Sequence, residues 1–277
     1  MEVIIVKGYD EVGKTAADII ATAMLHKPDL VVGLATGTTP ISTYRELVRK
    51  HKEGGLDFSK VITFNLDEYL GLPMHHPQSY YTFMWEHLFK DVNINPENIH
   101  VPSGQILDHE RFCQSYEGEI RRAGGVDVQL LGIGRDGHVG FNEPGSSLYS
   151  RTRLKTLTKE TVEDNSRLFD NPHEVPRFAV TMGVGTILDA RQVVLVASGK
   201  PKAQAIADAV EGPISSMCTA SALQLHPEVT VVADEDAASL LKRREYYDWV
   251  RNNKRQIHEV IEKQIRERLR LDHKEWG

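Results

Sequence analysis

The chain has 277 residues, 40% of them hydrophobic, with 33 Lys and Arg against 39 Asp and Glu for a formal net charge of -6. That balance allows a sizeable buried core and argues against a nucleic-acid surface spread over the whole molecule, while leaving room for a local positive site that takes a small anion. The two cysteines, Cys113 and Cys218, are too few for a disulfide framework and lack metal-ligand spacing, and no stretch approaches the roughly 18 apolar residues of a membrane span, so a cytoplasmic protein without membrane contact is expected.

Short β-branched runs recur at Val3 to Val6, Leu30 to Leu34, Val61 to Phe64, Val126 to Leu131, Phe178 to Thr181, Val193 to Val196 and Val229 to Val232. Helical patterns fall between them, for example Ser42 to Lys52 and Pro201 to Val210. Alternation of this kind predicts an α/β, doubly wound, mostly parallel Rossmann-like sheet with helices on both faces. Without repeats or a Pro/Ser-rich linker, residues 1–277 read as a single domain whose ligands bind at the carboxyl ends of the strands. Residues 237–277 read as a charged C-terminal helical extension, with Ile257, Ile261, Ile265 and Leu269 forming one apolar stripe. Acidic residues interrupt its basic ones, which favours packing on the sheet or a neighbouring subunit over nucleic acid or membrane.

Two nucleotide signatures are decoys on this reading. Gly8, Gly13, Lys14 and Thr15 satisfy the Walker A pattern, but Asp10 and Glu11 would stand where phosphate must be cradled. Asp10 reads better as a helix N-cap, because Val12, Ala16, Ile19, Ile20 and Ala23 continue a helical stripe. Gly132, Gly134 and Gly137 form a G-x-G-x-x-G that runs into a loop-like sequence instead of a helix.

Three other segments carry chemistry. Gly33 to Pro40 joins a strand to a helix beginning near Ser42, and its N–H groups and threonine hydroxyls suit a phosphate, with Lys202 placed to add a point charge. Asp67-Glu68-Tyr69 follows a strand, and either carboxylate could move a proton between adjacent sugar carbons. The run Gly132 to Ser147 sets His138 between Asp136 and Glu143, a pairing that fixes an imidazole tautomer and raises its basicity. A metal there would lack a second histidine or a cysteine at ligand spacing. His75 and His76, beside Pro73 and Pro77, read as exposed turn residues.

Leu34-Ala35-Thr36-Gly37-Thr38-Thr39-Pro40, Phe64-Asn65-Leu66-Asp67-Glu68-Tyr69 and Asp136-Gly137-His138-Val139-Gly140-Phe141-Asn142-Glu143-Pro144 together resemble the glucosamine-6-phosphate deaminase family. The resemblance runs from Val3 to about Leu241. It implies isomerisation and deamination of glucosamine 6-phosphate to fructose 6-phosphate and ammonia in amino-sugar catabolism, with no metal or organic cofactor. It makes Asp67 the base between C2 and C1 and His138, held by Asp136 and Glu143, the group that assists ring opening. Thr36, Gly37, Thr38 and Lys202 correspond to phosphate-binding positions, and Arg167 to an active-site arginine. Some members are homohexamers activated by N-acetylglucosamine 6-phosphate, and Ser146, Ser147, Arg153 and Lys155 match the positions that hold that effector's phosphate, so a homo-oligomer is expected. The chain departs from the family pattern at Ala35, where a proline is usual, at Gly140, where an alanine is usual, and around Tyr246-Tyr247-Asp248, which does not align cleanly. The rivals are a lactonase or isomerase acting on another sugar phosphate, a non-catalytic sugar-phosphate sensor, and an NTPase built on Lys14.

Overall fold

The computed structural model describes residues 1–166, 169, 171, 174–254 and 260, with the Asp164 side chain left outside that description. Arg167 and the stripe Ile257, Ile261, Ile265 and Leu269 lie outside the described residues. Strand β1 (Glu2–Val6) leads through Gly8 into helix α1 (Tyr9–His26), whose buried face is Val12, Gly13, Ala16, Ala17, Ile20, Ala21 and Met24. Asp10 is not the N-cap: Gly8 holds that position without a side-chain bond, and Asp10 and Glu11 stand in the first turn, where carboxylates complement the helix dipole. After β2 (Val31–Leu34), α2 (Ile41–Gly54) ends on Gly55 at φ 70°, a left-handed position that glycine takes without strain.

Next come β3 (Ile62–Asn65), β4 (Asp67–Tyr69), α3 (Tyr80–His87), β5 (Ile99–His100), α4 (His109–Arg122) and β6 (Val128–Leu131). The second half adds β7 (Arg153–Thr156), α5 (Lys159–Ser166), β8 (Phe178–Thr181), α6 (Val184–Leu188), β9 (Gln192–Ala197), α7 (Ala203–Val210) and β10 (Val229–Asp234). Seven strands form a parallel sheet in the order β1-β10-β9-β6-β2-β3-β5. Its central strands are buried along their whole length, as expected where helices cover both faces. One face packs Ile20, Tyr44 and Leu47 against Val32, Leu34 and Val194. The other packs Tyr116, Ile120 and Ile206 against Leu131, Leu195 and Val231. On β2, Gly33 leaves room for the Gln129 amide lying over it from β6, which a Cβ there would displace.

The parallel sheet does not include Phe178 to Thr181. That run forms β8 at the centre of a second sheet, antiparallel to β4 and β7, with Thr181 registered to both Asp67 and Arg153. Asp67-Glu68-Tyr69 is accordingly a short strand and not an open loop. The second helix pattern also begins differently, with a 3₁₀ turn at Lys200–Lys202 before α7.

Candidate active site

The loop between β2 and α2 supplies Ala35, Thr36, Gly37, Thr38, Thr39 and Pro40 to one wall of a cavity of about 590 Å³ at the carboxyl edge of the sheet. Gly37 has φ 103°, a left-handed backbone shape that glycine takes without strain, just before the start of α2. Two tyrosines hold the loop from behind. The buried Tyr44 hydroxyl accepts from Ala35 N at 3.2 Å and donates to Ala35 O at 2.5 Å, and Tyr9 Oη donates to Thr38 O at 2.7 Å. A proline at position 35 could not make the first of these bonds. Lys202 lines the same cavity from the turn before α7.

Asp67 enters the cavity at the start of β4 and is only 5% exposed. Burial, together with the neighbouring Glu68 charge, pushes its carboxyl up from an ordinary 3.8 to about 7, against the opposing pull of His138 and Thr181. Glu68 points elsewhere. Its Oε1 accepts from Tyr69 N at 2.8 Å and Tyr80 N at 3.0 Å, while Oε2 accepts from Tyr80 N at 2.9 Å and Tyr81 N at 3.2 Å. The Tyr80 and Tyr81 N–H groups open α3, so Glu68 is a buried helix-terminal acceptor and not a cavity residue. Burial still holds it at about 7, the N–H bonds only partly offsetting that push.

After β6 the glycine-rich run folds as a turn, with Gly137 at φ 84°, and brings His138 to the cavity across from the phosphate-type loop. His138 Nδ1 lies 2.7 Å from Asp136 Oδ1 and 3.4 Å from Glu143 Oε2. Neither approach lines up with the ring N–H direction, so both are ion pairs by proximity and not aligned hydrogen bonds. Burial pulls the imidazole down, yet the two carboxylates outweigh it and hold it up at about 9. Asp136 and Glu143 are both held below the usual carboxylate range, each by His138 against its own desolvation. With both acids on Nδ1, Nε2 is the nitrogen left for a ligand.

The ligand atoms of Asp136, His138 and Glu143 cluster within 4.8 Å, close enough to hold a metal ion. Two donors on one tetrahedral zinc, at metal distances near 2.0–2.2 Å, stand about 3.3 Å apart. The 2.7 Å separation of Asp136 Oδ1 and His138 Nδ1 is shorter than that, the spacing of an ion pair in contact.

The structure thus brings Thr36, Gly37, Thr38, Asp67, His138 and Lys202 to one cavity, with Asp136 and Glu143 directly behind the histidine. The four residues matched to an effector site do not line this cavity. Ser146 is buried with its hydroxyl unpartnered, and Ser147 is exposed. Arg153 Nη1 donates to Asn142 Oδ1 at 2.9 Å, and Lys155, two residues along β7, shares its face. The decoys resolve as well: Gly13, Lys14 and Thr15 lie inside α1, where a Cβ on Gly13 would overlap Ser42 of α2. Gly132 and Gly134 do line the cavity, but in a turn, not at a helix start.

Sequence reasoning missed Tyr80, Thr161, Glu163 and Asn165, all of which line the cavity. Tyr80 stacks on Phe141 with centroids 6.0 Å apart and tilts against Tyr69 at 4.9 Å. Its signal was Ser79, whose hydroxyl accepts from Thr82 N at 3.1 Å as the α3 cap. Nothing local marked Thr161 as a site residue, because the carboxylate it donates to is 18 residues away.

A threonine- and glycine-lined loop at a helix start, a buried carboxyl and a histidine held between two acids open on one cavity of an α/β fold, the arrangement of a small-molecule site. Residues 8–232 match the family of glucosamine-6-phosphate isomerases/6-phosphogluconolactonases, and the chain belongs to that family. It is 54% identical over 247 residues to a glucosamine-6-phosphate deaminase of Arthrobacter sp. (strain FB24), covering 89% of this chain and 95% of the relative. It is 53% identical over 241 residues to the same-named protein of Halothermothrix orenii, covering 87% of this chain and 100% of the relative. The solved structure of a monomeric glucosamine-6-phosphate deaminase superposes with a TM-score of 0.85 at 45% identity, covering 87% of this chain and 100% of that one. A 6-phosphogluconolactonase from Leishmania guyanensis shares the fold, with a TM-score of 0.68 at 21% identity over 86% of this chain and 98% of that one.

Proposed function

We propose that this protein converts glucosamine 6-phosphate and water into fructose 6-phosphate and ammonia. The observation that carries the reading is a buried Asp67, held near pH 7, facing the same cavity as the Thr36 loop and a cationic His138. Thr36, Gly37, Thr38 and Lys202 take the phosphate and fix the sugar's register. His138, protonated at neutral pH, donates to the ring oxygen as the pyranose opens. Asp67 then removes the C2 proton and returns it at C1, so the aldose becomes a ketose imine. A carboxyl near 7 is suited to this, because taking and releasing the proton are then nearly balanced. Water adds to the C2 imine carbon, and the amine leaves as ammonia. Preorganised carboxylates and loop N–H groups stabilise the charge that develops on the way. Arg167 is assigned to the same ligand by resemblance.

Relatives 49–54% identical to this chain are named deaminases, which favours this chemistry over lactone hydrolysis. An ammonia-coupled assay with glucosamine 6-phosphate tests it; hydrolysis of 6-phosphogluconolactone with no ammonia released from glucosamine 6-phosphate would replace it. The same proposal places the enzyme in cytoplasmic amino-sugar breakdown.

As a second part of the proposal, Ser146, Ser147, Arg153 and Lys155 hold the phosphate of N-acetylglucosamine 6-phosphate in a homo-oligomer. What supports it is the buried Ser146 hydroxyl, without a hydrogen-bond partner among the described residues, together with the half-buried Arg153 and Lys155 on one face of β7. A sigmoidal substrate curve that the effector turns hyperbolic is the expected result. Hyperbolic kinetics from a monomer, insensitive to effector, would remove this part and leave the catalytic reading standing.

A further inference from the structure

Glu143 has two jobs that meet in one side chain. Its Oε2 faces the His138 imidazole at 3.4 Å, and its Oε1 accepts from the Thr161 hydroxyl at 2.7 Å and from Thr158 N at 3.3 Å. Glu143 is 2% exposed and Thr161 8%, so water does not replace either bond cheaply. Thr158 caps α5: its hydroxyl accepts from Thr161 N at 3.2 Å, its carbonyl from Val162 N at 3.0 Å. The first turn of α5 is therefore fastened to the carboxylate behind the catalytic imidazole. The same helix presents Thr161, Glu163 and Asn165 to the cavity.

We infer that Thr161 is a positioning residue for the acid/base step, locking the Glu143 carboxylate toward His138 and tying the α5 wall of the cavity to that histidine. The inference rests on the acid/base reading of His138 given above. A carboxylate with one well-made hydroxyl bond on Oε1 cannot rotate Oε2 away from the imidazole without leaving a buried acceptor unpaired. Among the described residues, the ionisable groups around the imidazole are Asp136 and Glu143 on its own loop and Asp67 on β4. Tyr80 of α3, Arg135, Glu163 of α5 and Lys202 also line the surrounding cavity. Losing the Thr161 bond weakens one of the two carboxylates that hold the His138 proton, so the imidazole gives it up at lower pH.

The test compares Thr161→Val, which keeps the shape and removes the hydroxyl, with Thr161→Ser, which keeps the hydroxyl. A hydrogen bond to a charged group contributes about 1.5–3 kcal/mol, or about 10- to 100-fold. Thr161→Val is expected to lose about 10-fold in kcat while KM for glucosamine 6-phosphate stays within about 3-fold. The alkaline limb of its kcat/KM profile moves to lower pH, and Thr161→Ser restores both. An independent readout is an NMR titration of the His138 ring in ligand-free protein, which moves down in Thr161→Val whether or not the substrate assignment holds. If Thr161→Val does not fold, Thr161→Ala is titrated in its place. An unchanged His138 titration together with an unchanged pH profile overturns the inference. A shifted titration in a protein that releases no ammonia would instead confirm the positioning role and sink the substrate reading.

Discussion

Replacing Asp67 with Asn separates what the carboxyl does for catalysis from what it costs the fold. As a general base it supplies about 10²- to 10⁴-fold, so Asp67→Asn is expected to lose at least that much turnover with KM changed little. Stability moves the opposite way. The native carboxyl sits at about 7 instead of 3.8, so the folded state holds the proton more tightly than the unfolded chain. That advantage is complete below pH 3.8 and is lost as the pH rises through about 7; above it, the ionised group is buried at 5% exposure. About 3 pH units at roughly 1.4 kcal/mol each place the cost near 4 kcal/mol at alkaline pH, as an order of magnitude. Asn has the same shape and no charge to bury. Urea unfolding at pH 5 and pH 8.5 is the assay: the variant should gain on the wild type as the pH rises. A variant that is equally or less stable than the wild type at pH 8.5, relative to pH 5, would refute the account of a charge forced into an apolar setting.

The pH dependence of wild-type kcat/KM should be bell-shaped, with an acid limb near 7 from Asp67 and an alkaline limb near 9 from His138. Coupling between the two groups makes these values properties of the pair, and a single-limbed profile would contradict the assignment. Lys202→Ala should raise KM about 10- to 100-fold with a smaller change in kcat, and should weaken inhibition by inorganic phosphate. A lowered kcat at unchanged KM would move Lys202 out of the phosphate site. Lys14→Ala should leave turnover unaltered, because Lys14 lies inside α1, whereas Gly13→Ala should destabilise by about 1–3 kcal/mol through the Ser42 clash, read as a drop in urea midpoint.

The parallel sheet was legible because its buried strands are continuous apolar runs, and the run at Val193 to Val196 needed no partner information to be read. The cavity's chemistry was legible because it sits on loops at strand ends, where glycines and polar groups stand out from the periodic background. What stayed hidden depends on distant partners. The strand β4 has three residues, and its pairing with β8 joins Asp67 to Thr181, so no local pattern announces it. Which of Asp67 and Glu68 faces the ligand was equally undetermined, because Glu68 is drawn away by N–H groups 12 and 13 residues further on. The parallel placement of Phe178 to Thr181 failed for a related reason: alternation and β-branching identify a strand but not the direction of its neighbour.

The three-stranded sheet has a mechanical consequence. Thr181 stands between Asp67 and Arg153 in consecutive ladder positions, and its hydroxyl also accepts from Phe141 N at 3.0 Å. One residue of β8 therefore separates the strand that carries the buried carboxyl from the outer strand β7, and a substitution that breaks the β7–β8 pairing removes support two strands away from the acid it never touches.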